Sequence, residues 1–209
     1  MSPTSYTRRM SRTAQRSRNT KETQISIDLN LDGTGENTIE TGVPFFDHML
    51  SQLSKHGGID LDVKAVGDVH IDTHHTVEDT GILLGELVRE ALGNKAGVRR
   101  FASIAVPLDE ALIDVAVDLS GRPFLAYDVD FSRASANLIG TPGFDPQLAE
   151  HFWQSFAHNA AITLHVRSIS GTNTHHIIEA SFKAVARALR DAISVEGDSI
   201  PSTKGTLNA

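Results

Sequence analysis

The sequence predicts an α+β fold made of two copies of one ββαβα unit, each a small sheet with two helices packed on one face. Three observations carry this. His-His-x-x-Glu occurs twice, in "DTHHTVEDTG" from Asp72 and in "NTHHIIEASF" from Asn173, at an offset of 101 residues. "ISIDLNLDG" from Ile25 is echoed by "IDVAVDLSG" from Ile113 at an offset of 88. "FDHMLSQLSKHGGIDLDVK" from Phe46 is echoed by "AEHFWQSFAHNAAITLHVR" from Ala149 at an offset of 103. The drifting offsets mark a duplication whose loops differ in length.

Each element follows from a local pattern. Ile25, Ile27, Leu29 and Leu31 alternate with polar residues, as do Ile113, Val115, Val117 and Leu119. That period marks a strand with one buried face. The segments around His48 and His151 read as helices, each followed by a strand: Ile59, Leu61 and Val63 in the first copy, Ile162, Leu164 and Val166 in the second. "TVEDTGILLGELVREAL" and "IIEASFKAVARALRDAI" place apolar residues at helical spacing and close the two copies. The units therefore span about 22–93 and 100–193. No linker richer than "GNKAGVR" separates them, so residues 18–209 form a single domain ending in a C-terminal tail.

Composition sets bounds on function. The 209 residues are 40% hydrophobic and carry a formal net charge of −7, enough chain for one sizeable core. No apolar run reaches membrane length and no apolar stretch follows the N-terminus, so a cytoplasmic chain without a membrane role is expected. Cysteine is absent, which removes disulfides, thiolate nucleophiles and Cys-based metal sites. The first 21 residues hold Arg8, Arg9, Arg12, Arg16, Arg18 and Lys21 and no acid. Without apolar periodicity, residues 1–17 read as a disordered basic lead-in, and the acidic remainder argues against nucleic acid.

The repeated motif has a geometric meaning. Residues four apart share a helix face, whereas neighbours diverge by about 100°. His74 with Glu78, and His175 with Glu179, can each grip one ion, while His75 and His176 look elsewhere. Matched positions supply His48, His74, His75 and Glu78, then His151, His175, His176 and Glu179. These are four ligands each for two ions, of a kind that suits manganese, iron or zinc. His56, His70, His158 and His165 are read as ordinary histidines, and Arg99 as solvated surface. The zinc-protease order His-Glu-x-x-His does not occur.

"FFDHM", "GDVHIDTHHTVED", "PLDEALIDVAVDLSGRP", "HHIIEASFKAVARALR" and "PSTKG", in this order, resemble the imidazoleglycerol-phosphate dehydratase family from about Arg18 to Leu207. The resemblance implies a metal-dependent hydro-lyase of L-histidine biosynthesis that converts imidazole glycerol phosphate to imidazole acetol phosphate and water. It implies two Mn2+ per active site, with Zn2+ or Fe2+ not excluded by the ligands. It further implies 24-subunit shells with active sites between subunits. Glu22 matches the acid/base position. Arg100, Arg122, Lys183, Ser202 and Lys204 match phosphate-binding positions, and Gln52 is a candidate for binding a substrate hydroxyl. Two other readings remain open at this point: a dinuclear metallohydrolase, and a non-catalytic metal-assembled shell.

Overall fold

A computed structural model of the chain describes residues 12–134 and 137–207. The first half runs β1 (Thr13–Asn19), β2 (Thr23–Asn30), β3 (Asn37–Glu40), α1 (Pro44–Gly57), β4 (Asp60–Gly67) and α2 (His74–Leu92). The second repeats it as β5 (Phe101–Leu108), β6 (Ala111–Asp118), β7 (Phe124–Asp128), α3 (Gln147–Ala160), β8 (Thr163–Ser170) and α4 (Thr174–Ala192). The sheets have the same topology, β1-β2-β4-β3 and β5-β6-β8-β7. In each, the last pair is parallel and the others antiparallel. A parallel pair needs a crossover, and α1 and α3 supply it.

The duplicated α+β architecture is therefore as the sequence indicates, but each half carries one strand more than ββαβα. In the first half the added strand is β1. Residues 13–17, expected to lie in a disordered lead-in, pair with β2 from Thr13↔Asn30 onward. Ala14 is buried, Arg16 reaches Glu86 and Glu90 on α2, and Arg18 donates to Asp79 at 3.0 Å. Arg12, Arg16 and Arg18 are thus held by acids of their own domain. Residues 1–11 lie outside the described residues.

Register explains the core. Ile25, Ile27 and Leu29 of β2 face Ala65, Val63 and Leu61 of β4, and all six are buried. Val115 and Val117 face Val166 and Leu164 in the same way. The opposite faces of β2 and β4 are polar apart from the exposed Val66, so this sheet offers one apolar face to the helices. Each helix then finds its main helical partner in the other half, α2 with α3 and α1 with α4. Two glycines let the first pair approach. A Cβ at Gly81 would lie 2.9 Å from the Phe152 carbonyl, and one at Gly85 only 2.5 Å from the Phe156 carbonyl. Around this crossing, Trp153, Phe152, Phe156 and Phe182 are fully buried and in ring contact. Among the described residues no helix is long and apolar enough to cross a membrane.

Candidate metal centres

The cross-half helix pairs decide which ligands meet. α1 brings His48 against the start of α4, where His175 and Glu179 stand one turn apart. His48 Nε2 lies 3.2 Å and His175 Nε2 2.9 Å from Glu179 Oε2. The three side chains each offer a ligand atom within 4.8 Å of the others, a spacing that one cation could span. Lys183 Nζ, a further turn along α4, sits 2.6 Å from Glu179 Oε1. Burial is the largest influence on Glu179 and pushes its carboxyl up. Hydrogen bonds from Lys183, His48 and His175 outweigh it and hold the pKa at about 2. The lowered carboxyl places an anion between two imidazoles at neutral pH.

The matched residues of α2 and α3 gather more loosely, and among the described residues only the first group has all its ligand atoms within 4.8 Å of one another. His74 Nε2 is 3.6 Å from Glu78 Oε2, and the rings of His74 and His151 lie 4.9 Å apart. This second triad is more open. It borders a cleft of about 440 Å³ that includes Asp72, Leu138 and His151 in its wall. Sequence reasoning paired His74 with Glu78 and His175 with Glu179, and the structure brings both pairs together. Which half His48 and His151 would serve was not legible: each joins the helix of the opposite half.

His75 and His176 turn away from both triads. His75 Nδ1 lies 3.0 Å from Asp68 Oδ2, and its Nε2 is 3.9 Å from Glu22 Oε2. The Asp68 hydrogen bond raises the His75 pKa. His176 Nδ1 lies 2.8 Å from Glu110 Oε2, with Asp109 Oδ2 3.9 Å from its Nε2. Glu110 also accepts from the backbone N–H groups of Thr172 and Asn173 at 3.0 and 2.8 Å. The His176 bond, then these backbone donors, holds its carboxyl at about 2. At the head of α4, Asn173 Oδ1 accepts from the His175 N–H at 3.0 Å, an N-cap that fixes where the His-His pair begins.

The remaining candidates fall into two groups. Gln52 lies between two histidines, one end of its amide 3.4 Å from His48 Nδ1 and the other 3.1 Å from His56 Nε2, and its oxygen turned toward Nδ1 leaves His48 Nε2 as the free lone pair. The other group surrounds the C-terminal tail. Arg100, at a positive φ of 78°, forks onto Asp118 and donates to the Pro201 carbonyl at 2.8 Å. Gly97 N–H donates to Ser199 O, and the buried Lys95 reaches the Leu207 carbonyl at 3.3 Å. Between these anchors lie Ser202 and the exposed Lys204, whose N–H donates to Ser202 Oγ. Arg122 is exposed on the turn after β6, its backbone N–H held by Ser120 Oγ. The hydrogen bonds of Arg100, Arg122 and Lys204 run to Asp118, Pro201, Ser120 and Ser202 rather than to either group of ligands.

A family model for imidazoleglycerol-phosphate dehydratase matches residues 41–189. The chain belongs to the imidazoleglycerol-phosphate dehydratase family. The dehydratase of Parafrankia sp. is 56% identical over 200 residues, covering 95% of this chain and all of that protein. The Bordetella pertussis dehydratase is 55% identical over 199 residues, covering 94% and 100%. Among solved structures, the Staphylococcus aureus dehydratase is 38% identical with a TM-score of 0.77, over 88% of this chain and 99% of that one. The Pyrococcus furiosus dehydratase, solved in complex with (S)-C348, is 36% identical with a TM-score of 0.77, over 92% and 100%.

Family membership makes this chain a carbon–oxygen lyase and favours neither the metallohydrolase nor the non-catalytic shell. Three residues that contact the predicted ligands or Gln52, Asp68, Glu110 and His56, are not among the site residues the sequence singles out. The Glu110 signal was available, since Glu110 stands at the duplicated position of Glu22. Asp68 had none, because its contact depends on how the strand β4 delivers the chain to α2. His56, read as ordinary, closes a hydrogen-bonded chain through Gln52 to His48.

Proposed function

We propose that the chain catalyses the dehydration of imidazole glycerol phosphate to imidazole acetol phosphate in L-histidine biosynthesis, with two Mn2+ ions per active site. The observation that supports this reading is the His48/His175/Glu179 triad, assembled from both halves of a chain in this family, with His74, Glu78 and His151 gathered at the matching helix pair. The donors fit a divalent cation. Two imidazole nitrogens and one ionised carboxylate converge at ligand spacing with Glu179 held as the anion, and N/O donors suit manganese. His48, His175 and Glu179 would hold one ion, and His74, Glu78 and His151 the other. His75 and His176, turned outward, would complete the sites of neighbouring subunits in a 24-subunit shell. When bound, such ions supply positive charge that acidifies an imidazole N–H and polarises bound hydroxyls.

The protein groups then divide the remaining work. Glu22 is an exposed carboxylate whose Oε2 lies 3.9 Å from His75 Nε2, and it would move a proton to or from a substrate held beside that ring. Arg122 and Lys204, in no ion pair among the described residues, would offer cations to the phosphate, and Ser202 a hydroxyl. Arg100 and Lys183 join them from positions already paired with Asp118 and Glu179. A guanidinium fork and an ammonium point charge are complementary ways to bind that group. Gln52 holds His48 and stands next to any hydroxyl bound at that ligand.

The test is turnover of imidazole glycerol phosphate by wild type and by Glu22→Gln, each with metal removed and with Mn2+ restored. Wild type should lose activity with its metal and recover it on reloading. Glu22→Gln should turn over about 10²- to 10⁴-fold more slowly at unchanged metal content. Activity that persists after complete metal removal, or a Glu22→Gln variant as fast as wild type, would refute the corresponding role.

A further inference from the structure

The two outward histidines are supported by carboxylates that do not correspond in the duplication. Glu110 is the duplicate of Glu22 at the offset of 88, yet it bonds His176 Nδ1 while Glu22 stands on the Nε2 side of His75. In the first half, the Nδ1 partner of His75 is Asp68. At the His-His offset of 101, the counterpart of Asp68 is Ile169, an exposed residue of β8 that can accept no hydrogen bond. The second half therefore lacks an Asp68 and uses the duplicate of Glu22 in its place.

We propose that Asp68 and Glu110 are the positioning carboxylates of His75 and His176, and that the presence of Asp68 is what leaves Glu22 free for proton transfer. An ionised carboxylate can only accept a hydrogen bond, so the nitrogen facing it must carry the proton. Asp68 and Glu110 thus place the hydrogen on Nδ1 and leave the Nε2 lone pair as the ligand atom. Metal-binding histidines commonly donate their other N–H to a carboxylate, which fixes the tautomer and ring orientation and raises basicity. The wiring differs between halves but the result is the same. His75 and His176 both present Nε2, each with a second acid 3.9 Å from it, Glu22 in one half and Asp109 in the other.

Glu110→Gln tests this through a particular geometry. Glu110 Oε1 accepts from two backbone N–H groups, Thr172 and Asn173. In the glutamine those donors select the amide oxygen for that position, which turns the NH2 toward His176 Nδ1. A donor there forces Nδ1 to accept and moves the ring proton to Nε2, where it blocks ligation. Calorimetric titration of Mn2+ into metal-free protein should show affinity at one class of site weakened about 10- to 100-fold. Asp68→Ala, which removes the acceptor, should produce the same loss at the other class, and Asp68→Asn, whose amide oxygen is free to turn toward Nδ1, should recover part of it. Glu22→Gln should bind Mn2+ like wild type. Wild-type Mn2+ affinity in both Glu110→Gln and Asp68→Ala would overturn the inference, as would an equal loss in Glu22→Gln. The clause about Glu22 rests on the acid–base role proposed above, and the two fail separately. If Glu22→Gln turns over normally while the other two variants lose Mn2+, only the acid–base role is wrong.

Discussion

Replacing Gly85 by alanine should destabilise the protein even though alanine is the better helix former. Gly85 lies where α2 crosses α3, and an added Cβ would sit 2.5 Å from the Phe156 carbonyl, 3.0 Å from Ala160 N and 3.0 Å from Asn159 Cβ. Two of these are backbone atoms of a helix and cannot rotate away. Reaching an ordinary contact of 3.4 Å from 2.5 Å means parting the helices by nearly an ångström. Overpacking of this kind costs about 1–3 kcal/mol, and the helix-propensity gain of about 1 kcal/mol offsets only part. A net loss of up to about 2 kcal/mol corresponds to a fall in Tm of several degrees for a chain of this size, roughly 2–4 °C per kcal/mol. Because His74 rides on α2 and His151 on α3, the second triad should also loosen, weakening Mn2+ binding there more than at Glu179. Thermal unfolding of metal-free protein, with Gly197→Ala as the control, decides the first point, since a Cβ at Gly197 meets nothing within 4 Å. A Gly85→Ala variant that melts at or above wild type would refute the close-approach argument.

Two further outcomes follow from the fold. Deleting residues 1–17 removes most of β1, with buried Ala14 and the Arg16 pairs to α2, and uncovers an edge of β2. The truncated chain should melt below wild type and aggregate more readily, and an unchanged melting curve and particle size would show that β1 contributes nothing. Asp60 accepts from the backbone N–H groups of Thr34, Gly35 and Glu36 and from Asn30, and these donors, Thr34 first, lower its pKa. A depressed carboxyl stabilises the fold above its ordinary pKa, and that contribution disappears as pH falls through the lowered folded value. Asp60→Asn should therefore be less stable than wild type at neutral pH in urea melts, and the gap should close on acidification. A gap that widens in acid would reverse the sign and refute it.

The duplication and most elements were legible because they rest on local periodicity. Ile25 to Leu31 and Ile113 to Leu119 alternate as strands must, and all eight are buried. Strand β1 escaped because its only buried apolar residue is the small Ala14, while its arginines mimic a solvated tail until Glu86, Glu90 and Asp79 are placed beside them. Strand β5 gave a weak signal for a related reason: Ala102, Ile104, Val106 and Leu108 are only partly buried against the core. The ligand types were readable because helical geometry within one turn sets the relation of His175 to Glu179. The assignment of His48 to the opposite half was not. It depends on helix packing between repeats, for which the sequence carries only an indirect trace in Gly81 and Gly85. The engagement of Arg100 with Asp118 and the tail was hidden for the same reason, since it joins residues far apart in the chain.

The most direct test of two cross-half metal centres is the Mn2+ stoichiometry per chain of wild type, His48→Ala and His151→Ala, measured after dialysis against a fixed free Mn2+ concentration. Wild type should hold two ions per chain. His48→Ala should lose the ion associated with Glu179, His151→Ala the one associated with Glu78, and each should retain the other. A wild-type value of one, or a His151→Ala protein that still holds two ions at wild-type affinity, would contradict it.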